Sequence, residues 1–417
     1  MIQPLEKYSF GTGDRFAKSA AAQLQAVRRA DEQGIPIAIV WNKSNREHKA
    51  IGSTPADTVA AGNAAVAASA WSGAFHFDAD HINLATVAPY LELCDFFTID
   101  VADSIGTAAE RSTTDAYLAA ADRYIGRELR IPGIERPIRI DRDALTRIAD
   151  KYLFAVMQAR RIYERIEAAR SDKPTIIEVS MDETDTPQTP EEVFFIVLGL
   201  AWQKVPVQTF APRFSGRFNK GVDYVGDVAA FAREFEDDLL VLRYAAETFD
   251  LPRNLKLSVH SGSDKFSIYP AINRAIKRHD AGLHLKTAGT SWLEEVIGLA
   301  WSGGDGLAFV TDLYAACIAR IDELCAPYAE VIDIDRAALP AAAELAGWDG
   351  ERVARTLTHD RADARYNPNV RQLLHVGYKV AAEDLARYTG LLDRHQRTVE
   401  RCVFENLFER HIKPIFS

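Results

Sequence analysis

Short apolar runs alternate with amphipathic or alanine-rich stretches along the first three quarters of the chain. Runs at 35–41 (IPIAIVW), 95–100 (DFFTID) and 205–210 (VPVQTF) are too short for helices and read as buried strands. The same pattern predicts strands at 8–11, 74–78, 175–180, 255–259 and 282–286. Between them, helical periodicity predicts helices at 17–32, 55–71, about 84–93, 190–202, 227–249, about 271–279 and about 292–301. Strands regularly separated by helices build a parallel sheet, either open or closed on itself. Eight strand–helix units before about residue 303 favour closure, so the expected fold is α/β, a (β/α)8 TIM-type barrel. A long helical insertion is expected after the fourth strand, at about 104–172, broken at Ile131-Pro132-Gly133-Ile134. The remaining residues, 304–417, read as a helical extension packed on a barrel domain of residues 1–303.

Polar groups recur where these runs end. Alternation puts His76, Asp78 and Asp80 on one face of the third strand, opposite Phe75 and Phe77. Glu178, Ser180 and Asp182 share a face of the fifth, Ser258 and His260 of the seventh, His284 and Lys286 of the eighth. If the apolar faces meet the helices, these polar sets point inward at one mouth, where barrel enzymes carry their chemistry. Asp78-Ala79-Asp80-His81 offers carboxylates beside an imidazole, which suits a divalent ion or a ligand next to a base, and also a solvated loop. Glu178 lies inside an apolar strand; burial there would raise its pKa as a general acid requires, unless it is ion-paired. Asp182 through Pro187 reads mainly as a capped loop before the helix at Pro190. In His260-Ser261-Gly262-Ser263-Asp264-Lys265, Gly262 permits close backbone approach and Lys265 could hold an anion. The turn at 287–291 could bind an anion through backbone N–H groups or simply cap a helix. Gly11-Thr12-Gly13-Asp14-Arg15 lacks the pattern of a phosphate loop. Arg213, Lys220 and Asp223 follow the sixth strand and add charged groups; His359, His375, His395 and His411 fall in the helical tail, where packing or surface roles are expected.

Composition narrows the function. A net charge of −10 and no basic block argue against nucleic acid as a partner. The start of the chain has no basic stretch followed by an apolar one, and no run approaches the roughly 18 apolar residues of a membrane span. Cys94, Cys317, Cys325 and Cys402 are far apart and form no C-x-x-C pair, as expected of reduced thiols in a cytoplasmic protein.

The strings SFGTGDR (9–15), DADH (78–81), MDETDTP (181–187), RFSGRFNKGVDYVGD (213–227), HSGSDKFSIYP (260–270), HLKTAGTSWLE (284–294) and NVRQLLHVGY (369–378) occur in order over most of the chain. Together they resemble the tagaturonate/fructuronate epimerase family. Family members carry a substantial segment before the first string, whereas this chain starts almost at it, so a shorter member is expected. The stretches 41–52 and 101–106, at the expected mouth, depart from the family pattern.

The resemblance implies a metal-dependent epimerase acting at C4 of a ketohexuronate, with Asp80 as proton acceptor, Glu178 as proton donor, and His81 and His260 as ligands of a divalent cation. The ligand types suit Zn, Mn, Ni, Co or Fe. Substrate contacts are expected from Arg15, Asp182, Lys220, Asp264, Lys265 and Lys286, with Lys265 and Lys286 anchoring the substrate's carboxylate or hydroxyls; His284 is an unassigned neighbour. A ketose 3-epimerase, a ketose isomerase, an aldolase and a non-catalytic sugar-acid binder remain as alternatives, and assembly into homo-oligomers is left open.

Overall fold

The computed structural model describes residues 2–287 and 290–417. Eight parallel strands close into one barrel in sequence order: β1 (Tyr8–Gly13), β2 (Ala38–Ser44), β3 (Phe75–Ile82), β4 (Phe96–Asp100), β5 (Ile176–Met181), β6 (Thr209–Pro212), β7 (Lys256–His260) and β8 (Leu283–Lys286). Several strands run further toward the mouth than their apolar stretches. β2 continues through Asn42, Lys43 and Ser44, and β3 through Asp80 and His81. Closure explains this: inward polar ends are paired across the barrel, so polarity there does not end the strand.

Two connections differ from expectation. No α-helix joins β3 to β4; the predicted helix at 84–93 is a single 3-10 turn, Ala88–Tyr90. Asn83 and Thr86 bond each other and the local backbone, and Pro89 has no N–H to continue a ladder. Conversely, the loop after β2 contains an unforeseen helix, Asn45–Ile51, whose N-cap Ser44 accepts from the Glu47 N–H and which ends on Gly52 at φ 69°. The segment predicted as an insertion holds the helix Arg111–Ala121, a small two-stranded ladder (Glu128–Leu129 with Ile138–Arg139) and the 28-residue helix Arg142–Ala169. The last of these packs on β4 and on the helix Pro190–Trp202, so it is the barrel's own crossover between β4 and β5.

The C-terminal helices build a second apolar core on the helix Thr290–Ser302, around Trp292, Leu313, Tyr314, Leu373 and Tyr388. The chain then returns to the barrel: Val403, Leu407, Phe408, Ile412, Ile415 and Phe416 join the main core. Asn273 Nδ2 donates to the carbonyls of Ile415 and Ser417, which pins the end of the chain to the helix Tyr269–Arg278.

Inside the barrel, Leu5, Val40, Phe96 and Ile176 form an apolar plug at the amino-terminal end. Beside it, His76 bridges Asp95 (2.8 Å) and Glu6 (3.1 Å), tying the N-terminal segment to β3. Burial disfavours its charge, but bonds to Asp95 and Glu6 outweigh this and raise the imidazole to about 9. The charged form is therefore favoured by folding. Its contribution is complete below the unfolded value near 6.5 and disappears as pH rises through about 9. His76→Gln is accordingly expected to lower the urea midpoint at pH 6 and to leave a smaller deficit at pH 9.5; an equal deficit at both would show that the charge is not what matters.

Candidate active site

The floor of the mouth is built around Lys286. Its Nζ lies 2.6 Å from Asp80 Oδ1, 2.8 Å from Asp78 Oδ2 and 3.4 Å from Glu178 Oε1, and donates to Thr98 Oγ1 at 2.7 Å. These residues come from β3, β4, β5 and β8, so only the closed barrel brings them together. Gly11 on β1 makes the room: a Cβ there would stand 2.9 Å from Lys286 Cγ and 2.9 Å from Asn42 Nδ2. All four ionisable groups are buried. Burial opposes the Glu178 charge, yet Lys286 and His260 hold this carboxyl well below the usual range. Burial likewise opposes the charge on Asp80, and Lys286 and His81 lower it. Asp78 behaves differently: burial, reinforced by Asp80 and Glu178 and opposed by Lys286, pushes it up to about 7. Despite burial, the three acids keep Lys286 firmly protonated.

Above this floor stand two imidazoles. His260 Nε2 is 2.8 Å from Glu178 Oε1, and its Nδ1 is 3.1 Å from Asp182 Oδ2. His81 Nδ1 is 3.2 Å from Asp100 Oδ2, and the rings of His81 and His260 are 5.0 Å apart. Plain alternation would send His81 outward with Phe77 and Ala79. Instead the β3–β4 register shifts between Ala79 and Ile82, and His81 takes a left-handed backbone with φ 50°. Such a bulge re-aims a side chain at some cost in backbone strain. Ligand atoms of His81, Asp182 and His260 all lie within 4.8 Å of one another. Two imidazoles and a carboxylate at that spacing fit a divalent cation. Burial opposes protonation of both rings, but Asp80 and Asp100 raise His81 to about 10, and Asp182 and Glu178 raise His260. A metal ion and these protons compete for the same nitrogens.

Asp80, His81, Asp182, His260, Lys286, Lys220 and Arg15 all line one cavity of about 440 Å³ at this mouth. An adjoining lobe of about 470 Å³ shares Asp182, His260 and Lys220 with it and adds Arg213. A larger cavity, about 760 Å³, opens at the other end of the barrel beside Lys7, Arg243 and Lys256, away from the imidazole cluster. Glu178 lies beneath the first cavity, fully buried behind Lys286 and His260. His284 lies deeper still, its Nδ1 2.8 Å from Ser9 Oγ and its ring 5.1 Å from that of Phe96; burial drives its pKa down to about 3.

Asp264 and Lys265 were expected at the substrate but have a different place. Asp264 is sealed against Arg371 (2.7 Å) and His359 (3.2 Å) from the C-terminal helices. Lys265 is fully buried, and its Nζ donates to Ser263 Oγ at 3.0 Å and to the Asp264 carbonyl at 3.2 Å. Asp223 accepts from Ser267 Oγ rather than facing the cavity. Asp14 accepts from the backbone N–H groups of Ser19 and Ala20, so this part of the glycine-rich string starts a helix. Ala288 and Gly289, in the turn considered as an anion site, lie outside the described residues.

His375, expected in a packing or surface role, lines the cavity instead. Other lining groups had no individual signal in the sequence: Tyr328 and Tyr378 reach the cavity from the C-terminal segment, and Arg46 and Glu47 from the unforeseen helix after β2. The Arg15 guanidinium bonds Glu47 Oε1 at 2.8 Å and lies 4.0 Å over the Tyr378 ring, joining the two walls. For Tyr378 the matching string 369–378 was the available hint.

A closed barrel with carboxylates, an ammonium and imidazoles converging at the carboxyl ends of its strands defines a TIM-barrel enzyme. The model of the tagaturonate epimerase family matches residues 2–413, and the chain belongs to that family. It is an epimerase, in the isomerase class. A Thermotoga maritima protein described as tagaturonate/fructuronate epimerase is 30% identical over 419 residues, covering 97% of this chain and 79% of that protein. The glycerol-complexed crystal structure of the fructuronate-tagaturonate epimerase UxaE from Cohnella laeviribosi has the same fold, with a TM-score of 0.82 at 24% identity over 100% of this chain and 82% of that one. Its native structure also gives 0.82.

Proposed function

We propose that the protein inverts C4 of a ketohexuronate, interconverting tagaturonate and fructuronate, with a divalent cation held by His81, Asp182 and His260. The observation that carries this reading is the direct join between the two halves of the site: His260 bonds Asp182 on one nitrogen and Glu178 on the other. Asp182, expected to touch substrate, is better placed as the third ligand.

In a 2-ketose the C4 proton is β to the carbonyl, so the carbonyl does not acidify it. Breaking and remaking the C3–C4 bond avoids that difficulty. A base takes the C4 hydroxyl proton, the bond opens to an aldehyde and an enediolate, the aldehyde turns over, and the bond re-forms on its other face. Asp80 is the base: it is charged and lines the cavity. Lys286, 2.6 Å from Asp80 and 3.4 Å from Glu178, links the two acids. The proton-donor role expected for Glu178 therefore passes to the Lys286 ammonium, since Glu178 itself is covered and its carboxyl is held well below the usual range. The cation, when bound, supplies Lewis-acid stabilisation of the oxyanion. Asp78, near neutrality at about 7, limits the negative charge around Lys286.

The test is turnover of ketohexuronates and ketohexoses by protein stripped with chelator and reloaded with single divalent ions, with products identified by NMR. Expected are loss of activity on stripping, its return on reloading, a C4 epimer as product and, in heavy water, no deuterium at C4. A C3 epimer, an aldose or a cleavage product would replace the reaction proposed. Full activity in metal-free protein would remove the cation from it, and deuterium at C4 would remove the bond-cleavage route.

A further inference from the structure

A ketohexuronate differs from a neutral ketohexose by its C6 carboxylate, so an enzyme that prefers the acid needs a cation to meet that group. Four lysine or arginine side chains line the cavity: Arg15, Arg46, Lys220 and Lys286. Lys286 is occupied by three buried carboxylates. Turning it toward substrate would strand those acids, which costs more than the new contact returns. Arg15 is held between Glu47, the His375 carbonyl at 3.2 Å and the Tyr378 ring. Lys265, the cation expected from sequence, is sealed away from the cavity.

Two cations remain. Among the described residues, neither Arg46 nor Lys220 forms an ion pair with a carboxylate, and both line the main cavity and its adjoining lobe. Arg46 is exposed, with its guanidinium 5.6 Å from the centre of the Tyr328 ring. Lys220 Nζ lies 3.7 Å from where a Cβ on Gly262 would stand, which puts the ammonium beside the turn that follows β7. The acid on the same wall, Glu183, is exposed to solvent and ion-pairs with neither. A planar guanidinium grips a carboxylate with two parallel hydrogen bonds, and an ammonium adds a mobile point charge.

We propose that Arg46, with Lys220, binds the C6 carboxylate of the substrate and sets the preference for ketohexuronates over neutral ketohexoses. This rests on the function proposed above. Arg46 sits on the helix Asn45–Ile51 that follows β2 at the mouth, so the chain's own loop after that strand presents it to the cavity.

The experiment compares the metal-loaded wild type with Arg46→Ala, Arg46→Lys and Lys220→Met on a ketohexuronate and on the ketohexose that differs only at C6. A charge-assisted hydrogen bond corresponds to roughly a 10- to 100-fold change in binding. Arg46→Ala is expected to raise KM for the acid by about that factor and to move kcat much less. The ratio of kcat/KM for acid over neutral sugar falls in parallel, and Arg46→Lys recovers part of it. Lys220→Met is expected to shift the same ratio in the same direction. Equal changes on both sugars, or none on the acid, would overturn the inference while leaving the proposed reaction intact. Should the wild type turn over neither sugar, the proposed reaction fails. Calorimetric binding of a hexuronate against its neutral hexose then decides the inference alone: loss of the preference in Arg46→Ala supports it, and an unchanged preference overturns it.

Discussion

Replacing Lys286 with methionine is expected to reduce turnover by about two to four orders of magnitude and to destabilise the fold at neutral pH by about 3–5 kcal/mol. Methionine keeps most of the length but leaves Asp78, Asp80 and Glu178 buried without their shared counter-charge. In the wild type, the depressed carboxyls Asp80 and Glu178 stabilise the fold above their unfolded values near 4. That contribution is lost only as pH falls through their lower folded values. Lys286, raised in the fold, contributes below about 10.4 and loses its effect only in stronger base. Asp80, Glu178 and Lys286 therefore give the wild type no stability transition in the neutral range; Asp78, raised to about 7 by burial and by its acidic neighbours, makes it less stable as pH rises from the unfolded carboxyl value through about 7. Without the ammonium, the same acids are pushed upward by burial and by one another, and the folded variant takes up protons on acidification. The deficit of Lys286→Met should thus shrink between pH 7.5 and pH 5.5 in urea titrations, while activity stays absent at both. A variant with wild-type turnover would remove Lys286 from the chemistry; a deficit independent of pH would mean that the carboxylates are not the source of the destabilisation.

That cluster was half visible in the sequence. Period-two alternation placed Asp78 and Asp80, Glu178, His260 and Lys286 inward, and the structure has them so. Counting strand–helix units gave the barrel because each apolar run is short and most of the intervening helices carry their own periodicity; the count holds although the connection at 84–93 is only a 3-10 turn. Alternation could not give His81, which reaches the mouth through a register shift and a left-handed backbone that no residue type announces. Nor could it give the partners of Asp264 and Lys265. Next to His260 in sequence, both looked like mouth residues. After Gly262, at φ 64°, the chain turns into the wall, and the groups that meet Asp264 come from 95 and 107 residues away. Arg46 was hidden for a related reason: a seven-residue helix with one capping serine leaves little periodicity to read.

Breaking the Asp264–Arg371 pair is expected to produce the largest purely structural loss. Asp264 Oδ2 lies 2.7 Å from Arg371 Nη2 and 3.2 Å from His359 Nδ1, with His411 Nε2 3.4 Å from Oδ1. Arg371 Nε also donates to the Gly221 carbonyl at 2.6 Å. Both side chains are fully buried. The node therefore joins the loop after β7, the loop after β6 and the C-terminal helices, and Lys220 and His375 follow directly from the segments it fixes. Removing one partner of a buried pair strands the other, at about 3–5 kcal/mol, whereas replacing both with apolar groups is far less damaging. Arg371→Met and Asp264→Leu should each lower stability by that order, and the double substitution should lie closer to the wild type than either single one. Each single variant should also raise KM, because the wall carrying Lys220, His375 and Tyr378 loses its anchor to the barrel. Denaturant midpoints for the three variants, with KM measured under native conditions, check both expectations. Additive losses in the double variant would show that the two residues act separately and that the C-terminal helices are held to the barrel by their apolar contacts alone.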